Sequence, residues 1–95
     1  MKYVMFEKKA DENLVQFFPI IFPNDLIHKD IADSITEFLK KEYDIELKPI
    51  SAGEIYINCN SVGGNSTTLD LYANPNDNDV INGIDYHRFF TKKTD

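Results

Sequence analysis

One stretch of this chain, residues 25–42, repeats its apolar side chains at the spacing of an α-helix, and this constrains the fold most. The apolar stripe consists of Ile27, Ile31, Ile35, Phe38 and Leu39. Two lysines close the segment, where the helix dipole favours positive charge. The sequence therefore predicts one long amphipathic helix over about 25–42, with Asn24 as a candidate N-cap.

The remaining apolar segments are short and alternate, or are rich in β-branched and aromatic residues, which is typical of strands. We predict strands over 2–8, 14–22, 43–48, 54–59 and 67–73. Pro19 has no backbone N–H, so the second strand is expected at an edge or interrupted there. A short second helix is predicted around 77–82, and the segment 86–90 is expected to pack back on the sheet.

This order of elements predicts an α+β fold with an antiparallel sheet of four to five strands. The strands form two hairpins, and one long and one short helix are expected to pack on one face of the sheet. A ferredoxin-like order ranks second. The 95 residues fit a single domain over 1–95, with about 91–95 as a loose C-terminal tail.

Composition excludes several classes of function. The net charge is −6 and the basic residues are nine lysines and one arginine, which does not suit nucleic-acid binding. No apolar run is as long as the roughly 18 residues that a membrane-spanning helix needs. The first residues do not resemble a secretory signal, and Cys59 is the only cysteine. A cytoplasmic protein that binds neither membrane nor nucleic acid is therefore predicted.

Three residues could carry nucleophilic or metal chemistry, namely His28, Cys59 and His87. Their spacing lacks the pattern of a zinc site, and Cys59 lies on an apolar strand face as a small buried hydrophobe would. The segment 74–85 alternates oxygen-bearing side chains as calcium loops do, but Asp79 stands where glycine is required. We predict no catalytic residue, metal or cofactor, and whether the three residues meet in space stays open.

The best binding candidates are the segment 60–66 and two tyrosines. The glycines of the segment would expose backbone N–H groups as an anion-binding nest, although a flexible hairpin tip is the favoured explanation. Tyr56 and Tyr72 are predicted to lie opposite the apolar strand faces, near each other across a hairpin, where cross-strand packing also explains them. The candidate partner- or ligand-binding residues are Tyr56, Tyr72, Asn60, Ser61, Gly63, Gly64, Asn65, Ser66, His87 and Arg88.

The segments 18–23 (FPIIFP) and 49–53 (PISAG), with the helix between them, resemble small uncharacterised proteins carried by phages and prophages. The resemblance spans much of the chain. It implies a short, acidic protein that binds a host component, including bacterial immune machinery. It carries no assigned active site over to this chain.

Three functional hypotheses follow. The first is a non-catalytic binding protein of phage type that inhibits a host bacterial factor, as an anti-defence protein would. The second is a module that sequesters a nucleotide-like signal through Gly63, Gly64, His87 and Arg88. The third is a small hydrolytic enzyme. A homodimer is compatible with each, because edge strands and exposed aromatic residues favour self-pairing.

Overall fold

The computed structural model describes residues 1–8, 15–56 and 60–86. The elements are β1 (Lys2–Lys8), β2 (Gln16–Phe22), α1 (His28–Tyr43), β3 (Leu47–Tyr56), β4 (Ser61–Gly63), β5 (Asn65–Ser66), β6 (Leu71–Tyr72) and α2 (Asp77–Gly83). Outside the described residues lie the segment 9–13 between the first two predicted strands, Cys59, His87, Arg88 and the predicted tail at 91–95.

A four-stranded antiparallel sheet in the order β2-β1-β3-β4 forms the centre, and β5 and β6 form a second, two-stranded sheet. The strand β1 pairs along its whole length with β2 on one side and β3 on the other. Because of this central position, Tyr3, Val4, Met5 and Phe6 expose no surface. The predicted α+β class with an antiparallel sheet and two helices is confirmed.

The placement of the second helix differs from the prediction, because the two helices lie on opposite faces of the sheet. Val4 packs in the cluster that contains Leu39 of α1, whereas Tyr3 packs in the cluster that Val80 of α2 joins. Successive residues of a strand point to opposite faces. Since β1 is apolar at every position from 3 to 6, it offers each helix an apolar face.

The helix α1 begins three residues later than predicted and is rotated relative to the predicted stripe. A turn over 23–26 precedes it, and its N-cap is Ile27 rather than Asn24. Its buried residues are His28, Ala32 and Leu39, while Phe38 stays 52% exposed. It ends at Tyr43, and its C-cap residue Asp44 has a left-handed φ of 54°. No helix in the described part of the chain is long and apolar enough to cross a membrane.

The strand β3 is continuous where the sequence predicts two strands separated by Pro49. Met5 pairs with Ser51 and Phe6 pairs with Pro49, so Ile50 is the extra residue of a β-bulge. A bulge absorbs a residue that the ladder cannot pair, which lets the strand pass through a proline. Pairing with β1 thus overrides the local break.

The second hairpin also differs from the prediction. Residues 61–63, expected in a loop, form β4 and pair with 54–56 of β3. Residues 67–70, expected in a strand, form the turn between β5 and β6. Left-handed φ angles at Asn60 (51°) and Gly64 (76°) turn the chain before and after β4.

The edge strand β2 is protected at its centre. Pro19 lies in this edge strand, as predicted, and offers no N–H. The Tyr86 hydroxyl donates to the Pro19 carbonyl oxygen at 2.6 Å, and its ring lies edge-on to Phe18 at 5.7 Å. The prediction that the chain packs back on the sheet is confirmed for Tyr86, while 87–90 lie outside the described residues.

Candidate binding surface

An open groove of about 500 Å³ lies between β3 and the segment 70–75. Ile50 and Ser51 form one wall, and the segment with β6 forms the other. Tyr72 lines this groove and is 72% exposed, more than any other large apolar side chain of the described residues. Its hydroxyl makes no hydrogen bond to a described residue. The groove therefore presents an uncovered aromatic ring.

The turn that carries this segment is held by Ser66, which is 1% exposed. The Ser66 hydroxyl accepts a hydrogen bond from the Leu69 backbone N–H at 3.2 Å and lies 3.3 Å from the Thr68 hydroxyl. Thr68 in turn accepts from the backbone N–H of Lys29 at 3.3 Å. Ser66 was predicted as a ligand-binding residue, but its hydroxyl is buried and positions the turn.

Most of the segment 60–66, predicted to form an anion-binding nest, is engaged in strand pairing. Ser61 and Gly63 belong to β4, and Asn65 pairs with Tyr72. The Gly64 carbonyl accepts from the Ala73 N–H at 3.0 Å. The Asn60 side-chain oxygen accepts from Asn82 of α2 at 2.8 Å. These contacts join β4, β6 and α2.

Tyr56 and Tyr72, predicted to be neighbours across one hairpin, belong to different strand pairs. Tyr56 pairs with Ser61, whereas Tyr72 pairs with Asn65. The Tyr56 ring covers Gly63, since a Cβ there would lie 3.1 Å from its Cε2 atom. An aromatic ring over a cross-strand glycine stabilises a sheet edge. Tyr56 therefore has a structural role, and Tyr72 is the freer of the two.

A buried carboxylate lies directly behind the groove. Asp77 is 5% exposed, and its Oδ2 accepts from the Tyr3 hydroxyl (2.6 Å), the Ser51 hydroxyl (2.5 Å) and the Asn74 N–H (3.2 Å). Burial, and next the hydrogen bond to Asp77, raise the pKa of Tyr3, which therefore keeps its proton and donates. No cation of the described residues pairs with Asp77.

Asp77 is a residue whose role the sequence did not reveal. Its position at the start of α2 predicts a helix cap, but its Oδ2 accepts from groups outside the helix. Tyr3 lies 74 residues away in the chain, and no local pattern connects the two. Which aspartate in this run of Asn and Asp residues is buried could be identified only from the tertiary structure.

Of the three candidates for catalytic chemistry, Cys59 and His87 lie outside the described residues, and His28 lies within them. His28 is buried, and its Nε2–H donates to the Gly53 carbonyl oxygen at 3.0 Å. Its ring lies edge-on to Phe22 at 5.4 Å, so it joins α1 to the sheet. No group of three His, Cys, Asp or Glu side chains in the described ranges is arranged to hold a metal ion.

The segment 74–85, whose composition resembles a calcium loop, folds as a turn followed by α2. The Asn74 side-chain oxygen accepts from the Asn76 N–H at 3.0 Å, an Asx turn. The Asp77 carboxylate points inward to Tyr3 and Ser51. This is the turn chemistry that the sequence favours over calcium binding.

No protein-family model matches this chain, and neither a curated protein nor a solved structure matches it significantly. Its class is therefore defined by its architecture. It is an α+β protein with a four-stranded antiparallel sheet, a helix on each face and an open groove beside β3.

Proposed function

We propose that this chain is a non-catalytic binding protein that covers a basic surface of a protein partner, with Tyr72 at the centre of the contact. Following its resemblance to phage proteins, the partner is a host bacterial factor, and binding inhibits it as an anti-defence protein would. The observation that carries this proposal is the exposure of Tyr72 beside the groove.

An exposed tyrosine at the wall of a groove is the type of residue that dominates binding energy in interfaces. Tyrosine offers a large, rigid contact area and few rotatable bonds, and it is enriched among the residues whose truncation weakens complexes most. In the free protein Tyr72 is 72% exposed to solvent. Burying that ring against a partner would contribute favourable hydrophobic free energy to binding.

The charge of the molecule selects the kind of partner. The chain carries −6 overall, and its exposed lysines Lys29 and Lys40 already pair with acidic neighbours at 2.9–3.2 Å. The surface potential is therefore negative. A negative surface accelerates encounter with a positive one and disfavours acidic partners. A basic protein surface fits this field.

The two other hypotheses find less support in the described residues. The loop groups expected to hold a nucleotide phosphate are engaged in strand pairing and in contacts with α2 and β6. His28, a candidate for hydrolytic chemistry, is buried and its Nε2 bonds to a backbone carbonyl. Among the described residues, the loop groups are thus occupied by contacts within the protein and His28 is not accessible to a substrate.

The proposal is tested by capture and affinity measurement with matched variants. The tagged protein, Tyr72→Ala and Phe38→Ala are each incubated with bacterial lysate, and the captured protein is purified for titration calorimetry. Phe38 is a second exposed aromatic residue, on α1, and serves as the control. We expect a basic protein in stoichiometric complex, an affinity loss of about tenfold or more for Tyr72→Ala, and little change for Phe38→Ala.

Unchanged affinity in Tyr72→Ala would contradict the proposed surface. The inhibitory role is tested by titrating the partner's own activity with the purified chain, and activity that persists at saturation would contradict it. Mass spectrometry of small molecules released by denaturation covers the alternative. A bound nucleotide without a protein partner would favour sequestration instead.

A further inference from the structure

We propose that the groove beside Tyr72 receives one arginine side chain of the partner, with its guanidinium held between Asp70 and Tyr72. This inference rests on the proposed function and specifies the chemistry of that contact. Three features of the groove support it: an unpaired carboxylate and an aromatic ring in the same lining, a buried negative charge behind one wall, and further apolar residues around the groove.

The first feature is that a carboxylate, Asp70, and an aromatic ring, Tyr72, line the same groove. Both residues line the groove, and the Asp70 carboxylate forms no hydrogen bond or ion pair with a described residue. Tyr72 presents an exposed ring in the same groove. A guanidinium can form two charge-assisted hydrogen bonds to a carboxylate and stack on an aromatic face, and both contacts favour a cation here.

The second feature is the Asp77 carboxylate. Ser51 and Asn74 line the groove, and both donate hydrogen bonds to Asp77 behind them. Tyr3, the third donor, is also neutral. The negative charge is thus hydrogen-bonded but not neutralised by a cation of the described residues. Because the intervening wall is protein rather than water, its field reaches the groove with less screening.

The third feature is the apolar lining. Ile50, Leu71 and Pro75 border the same groove and can cover the methylene stem of a long side chain. A volume of about 500 Å³ is large enough for one such side chain with water at its rim. Arginine fits better than lysine, because a planar guanidinium stacks on the ring and bonds to the carboxylate at once.

The experiment titrates a defined probe, N-acetyl-arginine methylamide, into the ¹⁵N-labelled protein and follows backbone amide shifts. We expect saturable shifts at Ser51 and over 70–74. Asp70→Asn removes the charge and suits the left-handed φ of 54°, since asparagine tolerates that conformation. This variant should weaken probe binding by about fivefold or more.

Glu37→Gln on the exposed face of α1 removes the same charge elsewhere and should leave probe binding unchanged. N-acetyl-citrulline methylamide, a neutral isostere of the probe, should give no saturable shifts. Equal weakening by Asp70→Asn and Glu37→Gln, or equal binding of the citrulline probe, would overturn the inference. A partner complex that Tyr72→Ala abolishes and Asp70→Asn leaves intact would overturn this inference alone and retain the proposed function.

Discussion

At the scale of single residues, the buried Asp77 carboxylate joins the second helix to the central sheet. It accepts three hydrogen bonds, one each from β1, β3 and the turn before α2. A buried charge of this kind is tolerated only when its acceptor positions are satisfied. The network therefore constrains where α2 lies and, through Ser51 and Asn74, the wall of the groove.

Removing one donor should destabilise the protein. Tyr3→Phe deletes the hydroxyl and leaves Asp77 with one hydrogen bond fewer in a buried position. We expect the free energy of unfolding in urea to fall by about 1–3 kcal/mol. Tyr72→Phe, which deletes an exposed hydroxyl, should change it by less than about 0.5 kcal/mol. Equal stability of wild type and Tyr3→Phe would contradict a structural role for the network.

The raised pKa of Tyr3 leads us to expect a loss of stability at alkaline pH. Burial and the hydrogen bond to Asp77 raise the pKa of Tyr3, so the folded state keeps this proton when the unfolded chain has released it. Stability contributed by Tyr3 is thus complete below about pH 10, the ordinary pKa of tyrosine, and declines as pH rises further.

Urea titrations between about pH 8 and pH 11 should show this decline in the wild type. Tyr3→Phe should show a shallower one. Burial raises the pKa of Tyr86 in the same direction, so part of the slope should remain in the variant. Parallel profiles for the two proteins would assign the alkaline loss to other groups.

At the scale of elements, close approach of β3 and β4 depends on the absence of a side chain at Gly53. A Cβ at Gly53 would lie 2.3 Å from the Gly63 carbonyl oxygen and 3.0 Å from the Ala73 Cβ. These are contacts with backbone and with a short side chain, which cannot rotate away. The β3–β4 pairing and the position of the segment that carries Tyr72 therefore both require glycine here.

Gly53→Ala should consequently destabilise the protein by about 2–3 kcal/mol, a typical cost of overpacking. Gly83→Ala provides the matched control, since nothing lies within 4 Å of its Cβ position at the end of α2. This control should be neutral or stabilising by up to about 1 kcal/mol. Thermal and urea unfolding of both variants would measure the difference, and a Gly53→Ala protein as stable as Gly83→Ala would contradict the contact.

At the scale of the whole molecule, two properties set how copies of this chain meet other molecules. The net charge of −6 keeps them apart from each other and draws them toward positive surfaces. One edge strand of the four-stranded sheet, β2, would favour self-association unless it is protected. Pro19, which has no N–H, and Tyr86, which bonds to the Pro19 carbonyl, provide that protection.

Uncovering this edge should promote self-association. Tyr86→Ala removes the hydrogen bond to the Pro19 carbonyl and the ring that lies against Phe18. We expect its weight-average mass in sedimentation equilibrium to rise with concentration more steeply than that of the wild type. Tyr72→Ala, which leaves β2 untouched, should behave as the wild type. Identical masses for all three proteins would show that Tyr86 does not protect the edge.

Several elements of this fold could be predicted from short patterns in the sequence. The stripe of isoleucines predicts α1, the apolar segments 2–8 and 14–22 predict the first hairpin, and Pro19 predicts an edge strand. The pattern around 77–82 predicts α2. In each case the signal lies within the element that it predicts or in the adjacent one, so the backbone preference and the burial pattern agree.

Long-range packing decided the rest. Pairing with β1 keeps β3 continuous at Pro49. Because β1 is apolar on both faces, the two helices pack on opposite faces of the sheet. Tyr72 was predicted as an exposed binding residue from its position in the sequence, but the groove beside it depends on β3 meeting a segment about 20 residues away. The Tyr3–Asp77 hydrogen bond spans 74 residues. Local propensity carries no information about such contacts, because their partners are chosen by the burial of the whole chain.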